Sequence, residues 1–183
     1  MIIRDKYVIE GELYEEALRY ARKSRAFTSN RHDFHEGGLD NKQQKMLEGK
    51  LGEKAVKLLF LDNGVNFEED DSPYYERDEY DFLLVNGTER LKVDVKTRTE
   101  DFHIRTLEMV EQARSHPKDI FVSVRLFRES NTVKLVGWFT YDDMMKKNQI
   151  ENNGYLDNYV MYDRDLRPIA DLETLVLNRF MAE

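Results

Sequence analysis

The segment that most restricts the fold is residues 90–97, in which apolar and polar residues alternate without interruption. The apolar positions are Leu91, Val93 and Val95, and the polar positions are Lys92, Asp94 and Lys96. Because successive side chains of a β-strand point to opposite faces, this pattern predicts a strand with one core face and one charged face. The preceding dipeptide Asn86-Gly87 is a strong signal for a tight turn, and predicts a hairpin with a strand over residues 79–85.

The length of that turn decides which residue Asp81 meets across the hairpin. With a two-residue turn at Asn86-Gly87, Asp81 faces Lys92, and Asp94 lies on the same face in the diagonal position. With a four-residue turn, Asp81 comes directly opposite Asp94. Only a three-residue turn separates the two acids onto opposite faces, so the sequence favours two carboxylates and Lys96 on one side.

The rest of the chain carries helix and strand patterns in alternation. Helices are predicted over residues 12–24, 42–61 (ended by Asn63-Gly64), 106–115 and 141–147. Further strands are predicted over residues 65–69, 120–127 and 133–140, followed by a polar loop at 151–157 and a short strand and helix within 159–183. This order predicts a mixed α/β fold in one compact domain, with an N-terminal helical and basic extension (residues 1–41) and a core (residues 42–183).

The charge of the chain is unevenly distributed. The formal net charge is −8, which argues against a protein that simply coats nucleic acid. The N-terminal region nevertheless holds a basic arm with no acid in it, comprising Arg19, Arg22, Lys23, Arg25 and Arg31. Residues 67–81 are strongly acidic. A basic arm beside an acidic pocket suits a metal-dependent phosphodiesterase, and a solvated helix face is the alternative interpretation.

Composition also bears on location. The chain contains no cysteine, which excludes disulfides and thiolate metal sites and is typical of a reducing compartment. Its apolar runs are far too short for a membrane span, and charged residues precede any apolar stretch that would form a signal peptide. We expect an intracellular, cytoplasmic protein, encoded by a cell or a phage, with no membrane partner.

The residues on the polar face of the hairpin point to phosphodiester hydrolysis. Two carboxylates can hold Mg²⁺, which prefers oxygen ligands and keeps several waters. A lysine two positions along the strand can orient a water or offset charge on phosphoryl oxygens. The acid-x-Lys spacing occurs three times, at Asp40/Lys42, Glu48/Lys50 and Asp94/Lys96, but only the last stands on an alternating strand. The alternative is a solvated hairpin face with ordinary ion pairs.

This stretch resembles the PD-(D/E)xK nuclease superfamily, whose members include restriction enzymes, Holliday-junction resolvases and phage nucleases. The matching residues are Asp81, the run Asp94-Val95-Lys96, and Gly52-Glu53 in the preceding helix. The resemblance implies a restriction-endonuclease-like αβββαβ core. Two positions depart from the pattern: Tyr80 stands where proline often precedes the first acid, and Gln112 is followed by His116 rather than tyrosine at the exonuclease spacing.

The resemblance also implies roles and partners. Asp81, Asp94 and Glu53 would bind Mg²⁺, with Mn²⁺ as a substitute, and Lys96 would be the catalytic lysine. Glu53 is preferred over Glu48 because it shares a helix face with apolar residues. The expected partner is nucleic acid, DNA in preference to RNA, and a homodimer is one implied assembly because many members cut both strands as dimers.

Other residues carry weaker signals. Gln112, His103 and Arg105 are candidates for a supporting role near the site, and His103 and Arg105 follow the lysine strand directly enough to reach a phosphate. Trp138 is expected in the core rather than as a stacking platform. A second function class stays open: a catalytically inactive protein that keeps the nuclease fold for nucleic-acid binding or assembly.

Overall fold

The computed structural model describes residues 4–24, 39–70, 72, 79–152 and 154–182. These residues form the strands β1 Lys6–Val8, β2 Phe67–Glu69, β3 Phe82–Asn86, β4 Glu89–Arg98, β5 Arg105–Met109, β6 Ile120–Phe127, β7 Thr132–Thr140, β8 Ile150–Asn152 and β9 Asp157–Tyr162. They also form the helices α1 Gly11–Ser24, α2 Leu39–Asp62, α3 Val110–Ser115, α4 Tyr141–Lys147 and α5 Ile169–Leu175. The mixed α/β fold class predicted from the sequence is confirmed.

The main sheet has the strand order β1-β7-β6-β4-β3-β2. Strands β4 and β6 are parallel, and the other neighbours are antiparallel. A parallel pair needs a crossover connection, and the segment with β5 and α3 supplies it. The central strand β6 is buried along nearly its whole length because both faces of the sheet are covered.

Each face of the main sheet packs against a different layer. Helix α2 lies against β4, β6 and β7 on one face, and α1 packs on α2. The larger apolar core lies there and includes Ala55, Leu59, Val93 and Val122. The second sheet, of order β5-β9-β8, covers part of the other face together with α3 and α4. Phe121 and Phe139 stack in the smaller core on that side.

Helix α2 shows how local sequence sets an element. Its buried positions Leu47, Leu51, Ala55 and Leu59 recur every four residues and form the stripe that meets the sheet. The helix ends before Asn63-Gly64, where Gly64 adopts a φ of +62°. A left-handed glycine of this kind ends a helix at little steric cost. Among the described helices, none is long and apolar enough to span a membrane.

Two predicted elements are wrong in part. The helix predicted over residues 106–115 is divided into β5 and the shorter α3, because β5 pairs with β9 and turns Thr106 and Glu108 inward. The loop predicted at residues 151–157 begins with β8, which also pairs with β9. In both places the strand arises from pairing with a distant segment rather than from local alternation.

Residues 4–24 contribute directly to the main core. Strand β1 pairs antiparallel with β7. Tyr7, Ile9, Ala17 and Ala21 are buried in the same apolar cluster as α2. The proposed division into an extension (residues 1–41) and a core (residues 42–183) stays a prediction.

Candidate active site

The candidate site lies at the open end of the β3–β4 hairpin, just before β3 begins, where β4 continues beyond its partner. The last residue pair of the hairpin is Phe82 with Val93. Asp81 comes next, and its N–H donates to the carbonyl oxygen of Val93 at 3.0 Å. Its carboxylate Oδ2 accepts a hydrogen bond from the N–H of Val95 at 2.6 Å. Asp81 therefore holds the free edge of β4 through both its backbone and its side chain.

The observed turn corrects the predicted register. It contains Gly87 and Thr88, one residue later than expected, and Gly87 adopts a φ of +55°. In this register Lys92 pairs with Leu83, and Asp81 lies just beyond the last pair, near enough to Asp94 to feel its charge. The predicted pairing of Asp81 with Lys92 is wrong. The observed turn gives the register that the sequence predicted for a four-residue turn. Both registers keep the two acids on the same face.

Asp81 is surrounded by an excess of negative charge. Its pKa is raised well above the usual value, first because the surrounding protein removes it from water, then because Glu53 and Asp94 are negative. Lys50 and the N–H of Val95 oppose the shift without cancelling it.

Asp94 and Lys96 take part in a network of four charged side chains. The Lys96 Nζ atom lies 2.8 Å from Asp94 Oδ2 and 2.6 Å from Glu108 Oε2. The Lys118 Nζ atom lies 3.3 Å from Asp94 Oδ1 and 3.5 Å from Glu108 Oε1. Asp94 Oδ2 and Glu108 Oε2 accept no hydrogen bond of good geometry from the described residues. Their distances to Lys96 still make strong ion pairs, since charge attraction depends mainly on separation.

This network gives Asp94 the opposite electrostatic environment from Asp81. Burial alone would raise the pKa of Asp94, but the ammonium groups of Lys96 and Lys118 outweigh it and lower the pKa. Burial likewise opposes the charged form of Lys96, and the carboxylates of Asp94 and Glu108 reverse that effect and raise its pKa. Asp94 is buried, with 8% of its surface exposed. At Asp94 the polar face of β4 is therefore buried beside Lys118 and Glu108, whereas Lys92 on the same face forms a more exposed ion pair.

Helix α2 brings Glu53 beside Asp81. Gly52 allows the close approach, because a methyl group at this position would overlap the Thr97 hydroxyl and lie 3.0 Å from Val124 Cγ2. Glu53, the next residue, is half-buried and forms an ion pair of 2.7 Å with Lys50. The Gly-Glu pair that the sequence singled out thus has a steric cause: the glycine sets the helix against β4, and the glutamate follows.

Part of the basic arm lies beside these acids. Arg19 and Lys23 of α1 line a pocket of about 250 Å³ together with Glu53 and Asp81. Arg22 is exposed and does not line it. Arg25 and Arg31 lie outside the described residues.

The remaining sequence candidates are distributed around the site. His103 and Arg105 line a groove that Lys96 also lines, and Arg105 forms an ion pair with Glu151. Gln112 lies on α3 and lines none of the pockets described here. Glu48 is bound to Arg128 at 2.6 Å.

The expectation that Trp138 is a core residue is confirmed. Its side chain is buried, and the indole N–H donates to the carbonyl oxygen of Pro168 at 3.0 Å.

Sequence reasoning missed Glu108 and Lys118. Glu108 fell within the predicted helix 106–115, although the buried positions Thr106 and Glu108 follow a strand period. Lys118 stands between a proline and an apolar strand, where a lysine is ordinarily exposed. The sequence signal for a strand in residues 105–109 was the pair of polar residues Thr106 and Glu108, two positions apart.

The donor groups fit a hard divalent cation. Among the described residues, no three histidine or acidic side chains form a ready-made metal cluster. Mg²⁺ commonly binds through only one or two carboxylates and completes its shell with water. Asp81 lies near Asp94 and Glu53, and the raised pKa of Asp81 marks negative charge that a cation would offset.

No family model matches the chain, and no curated protein sequence is similar to it. Among solved structures, the chain is similar to a bacterial homing endonuclease, with 17% sequence identity and a TM-score of 0.42. The alignment covers 73% of this chain and 91% of the endonuclease chain. A likeness with that TM-score supports no inference about the activity of this chain.

Proposed function

We propose that this protein is a metal-dependent nuclease of the PD-(D/E)xK type that hydrolyses phosphodiester bonds in DNA. The observation that carries the proposal is the geometry at the end of the hairpin. Asp81 lies near Asp94 just beyond the last pair of the hairpin, its pKa is raised, and Lys96 stands two positions after Asp94 on β4. Paired carboxylates with a lysine on one face are the groups that metal-assisted phosphodiester cleavage needs.

In this proposal Asp81 and Asp94 hold Mg²⁺, and Glu53 adds negative charge beside them. The bound ion would polarise a phosphate oxygen and lower the pKa of a coordinated water. Asp81 is fixed for this role by the hydrogen bond that one of its carboxylate oxygens accepts from the N–H of Val95. Rigid placement of a ligand on a strand favours a defined coordination geometry.

Lys96 supplies the positive charge of the site. Its ion pairs with Asp94 and Glu108 keep the ammonium charged, so it acts as a cation rather than as a proton acceptor. We propose that it offsets the negative charge that grows on the phosphoryl oxygens during cleavage. The side chain of Lys96 is 24% exposed and lines the groove that His103 and Arg105 also line, and we propose that a phosphate reaches it from there.

The substrate would approach over α1. Arg19 and Lys23 line the pocket that contains Glu53 and Asp81, so phosphates bound by the helix would lie close to the carboxylates. DNA rather than RNA, a homodimer and a cytoplasmic location belong to the same proposal.

The first test is cleavage of plasmid, linear, branched and single-stranded DNA, and of RNA, in Mg²⁺, Mn²⁺ or EDTA. We expect metal-dependent cleavage of DNA by the unmodified protein and at least a ~100-fold loss in Asp81→Asn and Lys96→Gln. Neutral isosteres are preferable to alanine because the charged groups are covered by protein. Full activity in EDTA, or in either variant, would eliminate the site.

A second candidate function has a specific observation in its favour. Lys96 and Asp94 are saturated with ion pairs, as in a structural network. An inactive nuclease-fold protein would bind DNA with equal affinity in the Asp81→Asn variant and would cleave none of the substrates. The same experiment therefore separates the two functions.

A further inference from the structure

Two of the four charged residues behind the site have no part in the proposed chemistry. The side chains of Glu108 and Lys118 are each only 1% exposed. Neither can touch a substrate. Burying a charged group carries a large desolvation penalty, and good geometry is needed to offset it. Their presence beside Lys96 therefore calls for a physical account.

The four groups form a closed ring. Lys96 contacts one oxygen of Asp94 and one of Glu108, and Lys118 contacts the other oxygen of each. Each carboxylate meets both ammonium groups, so the formal charges balance. The ring joins β4, β5 and the residues just before β6, which are three separate parts of the chain.

Only one member of the ring has substantial exposure. The exposed fraction is 24% for the side chain of Lys96, against 11% for Asp94. A lysine on a flexible stem with a single ion pair can swing between rotamers. Lys96 instead has carboxylates on two strands, with Asp94 on β4 and Glu108 on β5. These two ion pairs restrict the Lys96 ammonium to a small region beside the groove that His103 and Arg105 also line.

We propose that Glu108 is a positioning residue that holds the Lys96 ammonium in place for phosphodiester cleavage, with Lys118 balancing the charge of its carboxylate. This inference rests on the proposed nuclease function and assigns a residue beyond the sequence motif. Glu108 acts only through Lys96. Supporting partners of this kind typically change activity by about 10–100-fold when they are removed.

The competing explanation is that Glu108 only neutralises buried lysines. Two variants separate the explanations. Glu108→Gln combined with Lys118→Met removes one charge of each sign, so the remaining Asp94–Lys96 pair stays balanced. Glu108→Asp keeps the charge but withdraws the carboxylate from Lys96 by one methylene. A purely neutralising role predicts near-normal activity in both variants, whereas positioning predicts a loss in both.

A matched control is available on the same strand face. Lys92 lies two residues before Asp94 and pairs with the exposed Glu79 at 3.1 Å. Lys92→Met therefore removes a β4 ion pair that is not part of the ring. We expect its kcat and melting temperature to stay close to those of the unmodified protein.

The experiment measures kcat, KM and melting temperature on the best DNA substrate. We expect kcat to fall by about 10–100-fold in Glu108→Asp and in the double variant, with KM changed less than about twofold. The double variant should melt above Glu108→Gln alone, since its buried charges are balanced. If kcat returns to normal together with the melting temperature, Glu108 is structural and the proposal is overturned.

A second readout does not depend on turnover. Ion-paired, partly buried ammonium groups exchange protons slowly enough to be followed by ¹H–¹⁵N NMR. We expect the Lys96 ammonium signal to be sharp in the unmodified protein and broadened in Glu108→Asp, and an unchanged signal would overturn the positioning role. Failure of the nuclease proposal looks different, because the unmodified protein itself would then cleave nothing.

Discussion

At the scale of single residues, two neighbouring carboxylates have pKa values shifted in opposite directions. Asp94 has the ammonium groups of Lys96 and Lys118 against it, so its pKa is lowered. Burial, and then the negative charges of Glu53 and Asp94, raise the pKa of Asp81, and the opposing charge of Lys50 does not cancel them. The unrelieved negative charge therefore belongs to Asp81. Replacing Asp94 instead would leave two lysines with one carboxylate.

The sign of this effect predicts how stability depends on pH. The folded-state pKa of Asp81 lies above its unfolded value, so its contribution to stability is full below about pH 4 and is lost as the pH rises through the folded-state pKa. In EDTA, Asp81→Asn should match the unmodified protein near pH 4 and melt at a higher temperature near pH 8. Thermal melts at the two pH values measure this, and a variant that is less stable near pH 8 would contradict it.

A divalent ion should stabilise the unmodified protein by relieving the same charge. At about 100 times the dissociation constant, the gain is roughly 2.7 kcal/mol, or several degrees in melting temperature. Asp81→Asn should largely cancel the shift. Glu68→Gln is the control, because Glu68 is an exposed acid on β2 whose loss should leave the shift intact. If Glu68→Gln cancels the metal-induced shift instead, the ion binds at strand β2.

At the scale of elements, the contact between α2 and β4 depends on a residue without a side chain. Gly52 faces Thr97 and Val124 with no room for a methyl group. Gly49 lies on the same helix and has nothing within 4 Å of an added Cβ. The two glycines therefore make a matched pair in which only packing differs.

We expect Gly52→Ala to destabilise the protein by about 1–3 kcal/mol, because α2 must move away from β4. The same movement carries Glu53 away from Asp81, so activity should fall as well. Gly49→Ala should be neutral or stabilising by up to about 1 kcal/mol, since alanine favours a helix over glycine. Denaturant unfolding of both variants checks this, and equal effects would mean that the close approach is unimportant.

Helix α1 carries the described part of the basic arm. Neutralising Arg19 or Lys23 with glutamine should weaken DNA binding and lower the slope of log affinity against log salt by about one per lost phosphate contact. Arg22→Gln should have a smaller effect, because Arg22 does not line the pocket. Lys134 on β7 is exposed and lies toward the opposite edge of the sheet, so Lys134→Gln is the control. If all four variants keep the salt slope of the unmodified protein, α1 presents a solvated face that does not contact phosphate.

At the scale of the whole molecule, the main sheet is closed on its β1 side by residues from the start of the chain. Ile9 is fully buried in the main core, whereas the neighbouring Val8 is 52% exposed. We expect Ile9→Ala to cost about 2–5 kcal/mol and Val8→Ala less than about 0.5 kcal/mol. A fragment of residues 42–183 should lack the cooperative unfolding of the full chain. Cooperative melting of that fragment at the original temperature would instead make residues 1–41 a separable extension.

The sequence by itself determined the elements whose causes are local. The alternation around Val93 predicts β4, and the apolar stripe ended by Asn63-Gly64 predicts α2. It also predicts that Asp81, Asp94 and Lys96 share one face, because a two-residue side-chain period leaves little freedom once a strand is recognised. Those residues were available from their neighbours in the chain alone.

The tertiary structure decided what covers that face and how the hairpin is aligned. The turn is shifted by one residue, β5 forms because β9 lies beside it, and Glu108 and Lys118 reach Lys96 from separate segments. Each of these depends on pairing between distant parts of the chain, which local periodicity does not record. A polar face looks the same in sequence whether water or a second sheet lies over it, and only the packed chain distinguishes a solvated ion pair from a buried charge network.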